Sequence, residues 1–100
     1  LNVIGGLHLD EPAADLPVLL AIASSVRDVP LSDQLAALGE IGLTGEIRSV
    51  GDLPKRLNEI ARLGFTACMV PWQGTEDLAV PKGLKLIRVK NIREALSVIF

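Results

Sequence analysis

The stretch DEPAADLP, residues 10–17, is where chemistry would first be expected, because it predicts a sharp helix start of the kind that presents a nucleophile. Nucleophilic catalysis needs the oxygen or sulfur of Ser, Thr or Cys beside an activating base. The stretch has none of these residues and places only Ala13 and Ala14 between Pro12 and Asp15. It therefore predicts a nucleophile position without the attacking atom.

Other hydroxyls and carboxylates are weaker candidates. Ser24 and Ser25 lie inside the predicted first helix, where they can bond back to a carbonyl one turn earlier, and no base is evident near them. Glu40 and Glu46 flank a predicted turn between two strands and could form a carboxylate pair. More often such residues are a solvated turn pair.

Metal and phosphate sites are not predicted. His8 is the only histidine and Cys68 the only cysteine, so no set of ligands at metal-binding spacing exists in this sequence. Cys68 lies between apolar neighbours and is predicted to be an inert buried thiol. The sequence also lacks GxxxxGK[ST], so no phosphate-binding loop and no bound cofactor are expected in this chain.

Composition bounds the class of protein. The 100 residues are 49% hydrophobic and carry a net charge of −2, which disfavours strong nucleic-acid binding by the chain alone but leaves room for a local basic patch. The single cysteine and the absence of a long apolar run favour a reduced, cytoplasmic setting without a membrane span. The chain begins on an apolar segment with no targeting signal, which favours one domain cut from a longer protein.

Periodicity predicts the element order βαββαββα. The first strand is expected at Leu1–Leu9. A central, fully buried helix follows over Leu16–Val26, with Pro17 tolerated only in its first turn. The remaining predictions are strands at Leu35–Leu43, Glu46–Val50, Phe65–Val70 and Leu84–Val89, helices at Asp52–Leu63 and after the capping box Asn91/Glu94, and a loop at 71–82 that could include one helical turn.

Three segments carry a family resemblance: EPAADLPVLLAIASSVRDVPL, GEIGLTGEIRSVGDLPKRLNEIARLGF and MVP. Together they resemble the C-terminal domain of the bacterial RadA (Sms) DNA repair ATPases, which is related to the proteolytic domain of Lon. The resemblance covers nearly the whole chain and is most specific from Gly39 to Phe65. It implies an α+β, Lon-protease-domain-like fold, in which a mixed β-sheet packs with helices, and a chain that lacks the N-terminal part of that domain.

The resemblance also assigns the position of a catalytic dyad. Lon-type domains use a serine before the buried helix, in a GPSAG-like motif, and a lysine early in the second helix, after a GGLKEK-like stretch. The alignment places Ala13 at the serine position and Arg56 at the lysine position. Lys55 is a poor substitute, because one residue along a helix rotates a side chain by about 100 degrees. The resemblance therefore implies a domain without peptidase activity.

The family supplies further expectations. Upstream of this domain, RadA proteins carry a four-cysteine zinc finger and a RecA-like ATPase core, so ATP, magnesium and zinc would belong to parts outside this chain. They form hexameric rings and promote branch migration of recombination intermediates. The implied partners are other copies of the chain, single-stranded or branched DNA, and RecA. The candidate DNA-facing cations are Arg27, Arg48, Lys55, Arg56 and Arg62.

Two alternatives remain open from the sequence. One is an active Lon-type serine peptidase with a different dyad, involving Ser24 or Lys55. The other is the Lon-like domain of ComM or magnesium-chelatase-like ATPases, which shares a PAxDLP-like helix start. Trp72 lies in a segment that departs from the family pattern, and it is either an exposed contact residue or an ordinary core aromatic.

Overall fold

The computed structural model describes residues 11–100, so the predicted strand at Leu1–Leu9 and its His8 lie outside the described residues. A 3-10 turn at Pro12–Ala14 leads into the first helix. The helices are α1 (Asp15–Arg27), α2 (Leu53–Arg62) and α3 (Ile92–Ile99), and the strands are β1 (Leu35–Ala37), β2 (Glu40–Ile41), β3 (Ile47–Arg48), β4 (Ala67–Pro71) and β5 (Lys85–Val89). The predicted α+β class is confirmed.

Two sheets organise the described residues. A parallel sheet has the order β1-β4-β5, and β2 pairs with β3 in an antiparallel hairpin. In the parallel sheet Ala37 is paired with Met69, and Met69 with Ile87. Parallel neighbours need a long crossover connection. Residues 72–84 provide one such connection through turns rather than a helix, so the single helical turn considered for this segment does not form.

The central strand β4 divides the core. Cys68 and Val70 pack with α2 residues such as Leu57, whereas Met69 packs with Leu16 of α1 and Ala95 of α3. Successive side chains of a strand point to opposite faces, and a parallel sheet is covered on both. One face of the sheet is therefore covered by α2 and the other by α1 and α3.

The predicted strand at Leu35–Leu43 is interrupted. It divides at Leu38 and Gly39 into β1 and β2, which belong to different sheets. The Leu38 amide donates to the carbonyl of Met69 at 2.9 Å, while the Gly39 amide donates to the carbonyl of Ala13 at 3.0 Å. The chain thus changes hydrogen-bonding partner between adjacent residues, and no local sequence pattern encodes that change.

The apolar composition of the first helix predicted that it is buried on all sides, and this prediction is wrong. Leu16 and Leu20 face the core, but Ile22 and Val26 are exposed. The reason is that α1 packs on the sheet with one face only. Pro17 lies in the first helical turn, as expected, because the helix begins at Asp15.

The predicted turn between β2 and β3 is confirmed, and the predicted capping box of α3 forms in part. The β2–β3 turn includes Gly45, whose φ of 85° is a left-handed conformation that favours glycine. At the start of α3, Asn91 Oδ1 accepts a hydrogen bond from the Glu94 amide at 2.8 Å. The Glu94 side chain in turn accepts from the Lys90 amide at 2.9 Å, one residue earlier than in a standard capping box.

Candidate functional site

The 3-10 turn that carries Ala13 is held rigidly against the hairpin. Ala13 is 4% exposed, and its carbonyl accepts from Gly39. The carbonyl of Gly39 accepts a hydrogen bond from the Leu16 amide at 3.0 Å, and Asp15 Oδ2 accepts one from the Ile41 amide at 3.0 Å. Position 13 is therefore fixed by bonds on both sides, but it presents only a methyl group.

The side chain of Arg56 is fixed by two hydrogen bonds. It lies in the first turn of α2, and its Nη1 donates to Glu11 Oε2 at 3.2 Å while its Nε donates to the carbonyl of Gly51 at 3.0 Å. Its side chain is about three-quarters buried. Ala13 and Arg56 line one cavity of about 360 Å³, together with Glu11, Pro12, Glu40, Ser49, Val50 and Gly51. The structure thus brings together the two residues aligned with the dyad.

The two dyad-aligned positions of this cavity supply neither an attacking oxygen nor a neutral amine. Among the lining residues that the structure describes, Ser49 is the only one with a hydroxyl, and it is exposed and lies after β3 rather than at the helix start. Arg56 cannot act as a neutral base, because a guanidinium keeps its proton at any physiological pH. Ala13 and Arg56 therefore do not have the side chains of a Ser-Lys dyad.

The residues considered for an alternative dyad lie elsewhere. Ser24 is near the end of α1, and its hydroxyl donates to the carbonyl of Val29 at 2.5 Å. Lys55 lines a neighbouring cavity with Asp52, Arg56 and Glu59, which Ala13 does not reach. Ser24 is not among the residues that line the cavity of Lys55.

Glu40 and Glu46 are joined by a cation. Arg48 Nη1 lies 3.4 Å from Glu40 Oε1, and its Nη2 lies 3.0 Å from Glu46 Oε2. A hydrogen bond from the Thr44 hydroxyl, helped by a backbone amide and by Arg48, lowers the pKa of Glu46 to about 2. Glu46 is therefore ionised at neutral pH and has no proton to donate as a general acid.

The predicted DNA-facing cations differ in their surroundings. Arg48, Arg56 and Arg62 each form an ion pair with a glutamate of the chain. The Arg27 guanidinium lies 5.1 Å from the centre of the Phe100 ring, and Lys55 is exposed. A carboxylate beside an arginine offsets its charge toward a phosphate. The DNA-facing role of these five residues stays a prediction.

Sequence reasoning missed a second basic group. Arg88 and Lys90 lie at alternate positions of β5 and just beyond it, and both lie over the ring of Trp72. Strand periodicity could have placed the two cations on one face. The pairing of β5 with the strand before Trp72, which brings the ring to them, was not visible locally.

Cys68 is buried and without a disulfide partner, as predicted. Burial raises the pKa of its thiol to about 12, which keeps it protonated and unreactive. Among residues 11–100 there is no group of three or more His, Cys, Asp or Glu side chains placed to hold a metal ion. Within the same residues, no helix has the length and apolarity needed to cross a bilayer.

Comparison with known families identifies the family of this chain. Residues 4–100 match the Lon protease (S16) C-terminal proteolytic domain. The chain belongs to this family. The fold can therefore be interpreted as that of a Lon-type domain.

Similar proteins narrow the resemblance further. The chain is 46% identical to a DNA repair protein RadA of Streptococcus pyogenes serotype M1 over 100% of its own length, and 45% identical to RadA of Bacillus subtilis over 96%. It is 44% identical to RadA of Mycolicibacterium smegmatis over 97%. The chain spans about a fifth of the length of these relatives (22%, 21% and 20%). The predicted resemblance to the Lon-like domain of RadA proteins is confirmed.

Proposed function

We propose that this chain is the Lon-like domain of a RadA-type DNA repair protein and that it is a scaffold without peptidase activity. The observation that supports this most directly is the shared cavity of Ala13 and Arg56. The serine position is a buried methyl group, and the lysine position is a guanidinium held by Glu11 and Gly51. The fold of the site is kept, while its reacting groups are absent.

The physical reason is the proton balance of a Ser-Lys dyad. The lysine must be neutral to accept the serine proton, and desolvation makes this possible for an amine. A guanidinium does not supply a neutral base, and Arg56 forms an ion pair with Glu11. The guanidinium has become a structural tie between α2 and the segment before α1.

The scaffold role includes assembly of a hexameric ring that promotes branch migration on single-stranded or branched DNA, with RecA as a further partner. Exposed apolar side chains support an assembly surface on the domain: Ile22 and Val26 on α1 and Leu43 at the hairpin. ATP, magnesium and zinc would be bound by other parts of the longer protein. The cytoplasm is the proposed compartment.

Restoring the two dyad residues is expected not to restore proteolysis. The variant Ala13→Ser with Arg56→Lys regains the residue types, but acyl transfer also needs donors that stabilise the oxyanion, and their loss alone costs on the order of 10²- to 10³-fold in rate. Cleavage of casein and of fluorogenic peptides would be measured, with Ser49→Ala as the control for adventitious hydrolysis. Turnover by the double variant that Ser49→Ala does not remove would contradict a purely structural site.

Deleting this domain from the RadA-type protein is expected to weaken both ring assembly and the stimulation of ATP hydrolysis by single-stranded DNA. Ring assembly would be measured by light scattering after size-exclusion chromatography, and ATPase rates with and without DNA. A matched control carries Val80→Ser, which changes one exposed side chain outside the proposed assembly surface and leaves the domain in place. An intact ring with full DNA stimulation after deletion would exclude the scaffold role.

A further inference from the structure

Trp72 is the only tryptophan of the chain, and it is unusually exposed for its size. It follows β4 directly, and its amide donates to the carbonyl of Val89 at 2.8 Å, which extends the pairing of β4 with β5 by one residue. Nevertheless 42% of its surface is accessible. The backbone of Trp72 is therefore fixed by the sheet, while much of its ring faces solvent.

Two cations are stacked on this ring. The Arg88 guanidinium carbon lies 4.0 Å from the ring centre, and Lys90 Nζ lies 4.8 Å from it. Arg88 is also held by two hydrogen bonds, from Nε to Thr75 Oγ1 at 2.7 Å and from Nη2 to the carbonyl of Trp72 at 3.0 Å. Its orientation is thus set before any ligand arrives, which lowers the entropic cost of binding.

Neither of these two cations forms an ion pair with the residues that the structure describes. Within residues 11–100 the ion pairs involve Arg48, Arg56 and Arg62, and no carboxylate lies within 4.0 Å of the side-chain nitrogens of Arg88 or Lys90. Three of the five cations predicted from the sequence to face DNA are paired, whereas this unpredicted pair is not. The Trp72 surface, defined as Trp72, Arg88 and Lys90, therefore combines an accessible aromatic ring with available positive charge.

We propose that the Trp72 surface binds single-stranded nucleic acid, with an unpaired base stacked on the accessible part of the indole and the adjoining phosphates beside Arg88 and Lys90. Stacking on aromatic rings next to basic side chains is how proteins bind single strands with little sequence preference. A duplex hides the faces of its bases and the acidic side chains of a peptide have no ring to stack, whereas every nucleotide of a single strand carries both a base and a phosphate. The inference rests on the proposed role in a DNA repair protein and locates the DNA contact.

The test uses the 100-residue chain with oligothymidylate. Because Trp72 is the only tryptophan, a stacked base is expected to quench the intrinsic fluorescence of the protein. Affinity would be measured by anisotropy of a labelled oligonucleotide. Trp72→Ala is expected to weaken binding by about tenfold or more, the effect typical of losing one stacked base. Lys90→Gln is expected to lower the slope of log K against log salt by about 0.7, the value for one phosphate contact on a single strand.

The matched control is Lys85→Gln. Lys85 is exposed on the same strand but points to the opposite face, so its loss removes the same charge without touching the Trp72 surface and should leave both affinity and salt slope unchanged. Thermal unfolding of each variant separates a folding defect from a binding defect. Lys90 is exposed, so its variant keeps the test informative if Trp72→Ala unfolds.

Three results would overturn the proposal. One is equal affinity for oligothymidylate and for an abasic oligonucleotide without fluorescence quenching, which would show charge attraction alone. Another is binding of poly-glutamate that is lost equally in Trp72→Ala, which would indicate a protein partner. The third is no binding at low salt. If ring assembly still depends on the domain in that case, the scaffold role stands and only the Trp72 surface is excluded.

Discussion

Leu57→Ala is expected to lower the free energy of unfolding by about 2 to 5 kcal/mol, the usual range for truncating a buried leucine. Leu57 is fully buried, and it packs in the cluster that also contains Ala13 and Val70. Domains of this size have about 5 to 15 kcal/mol of stability in total. The variant would therefore lose a large fraction of its stability, and α2, which carries Arg56, would lose its anchor on the sheet.

Urea unfolding followed by circular dichroism would measure this change. The slope of the free energy of unfolding against urea concentration should be unchanged. Leu63→Ala is the control, because Leu63 follows the same helix and is 48% exposed. Its effect should stay within about 0.5 kcal/mol. A loss below about 1 kcal/mol for Leu57→Ala would be inconsistent with α2 packing on this face of the sheet.

Gly39→Val is expected to destabilise the chain by about 1 to 3 kcal/mol or more through overpacking. A β-carbon at position 39 would lie 2.9 Å from Ile47 Cγ2 and 3.3 Å from Leu16 Cδ2. Both neighbours are buried and cannot move freely. The carbonyl of Gly39 also accepts a hydrogen bond from the Leu16 amide. The strain should therefore loosen the 3-10 turn that positions Ala13.

Hydrogen exchange would detect this second effect as faster exchange of the Leu16 amide, beside the change in urea midpoint. Gly51→Ala is the matched control: a β-carbon there meets no atom within 4 Å, and the Gly51 carbonyl that accepts from Arg56 remains. It should be neutral or slightly stabilising, by about 0.4 to 1 kcal/mol. An unchanged exchange rate of the Leu16 amide in Gly39→Val would mean that Gly39 does not hold the 3-10 turn that carries Ala13.

The elements with strong local signals were predictable. The amphipathic pattern of α2, the Asn91 cap of α3 and the apolar strand β4 each reflect interactions between residues close in sequence. That position 13 offers no attacking oxygen could also be predicted, because the side chain of alanine is a methyl group. For the same reason, residue type at Arg56 was enough to exclude a neutral base.

The division of residues 35–43 between two sheets could not be predicted. Local periodicity describes which face a side chain takes, but not which distant strand accepts its amide. Leu38 and Gly39 bond to Met69 and Ala13, partners that are far away in sequence and in different directions. The one-sided burial of α1 has the same origin, since exposure of Ile22 depends on what packs nearby.

By itself, the sequence determined the α+β class and the family resemblance, because both depend on residue types and on short-range spacing. The tertiary structure decided which cations are neutralised and which are available. Arg48 and Arg56 are offset by glutamates, whereas Arg88 and Lys90 are brought over Trp72. Charge acts over a few ångströms in space rather than along the chain, so only folding defines the electrostatic surface.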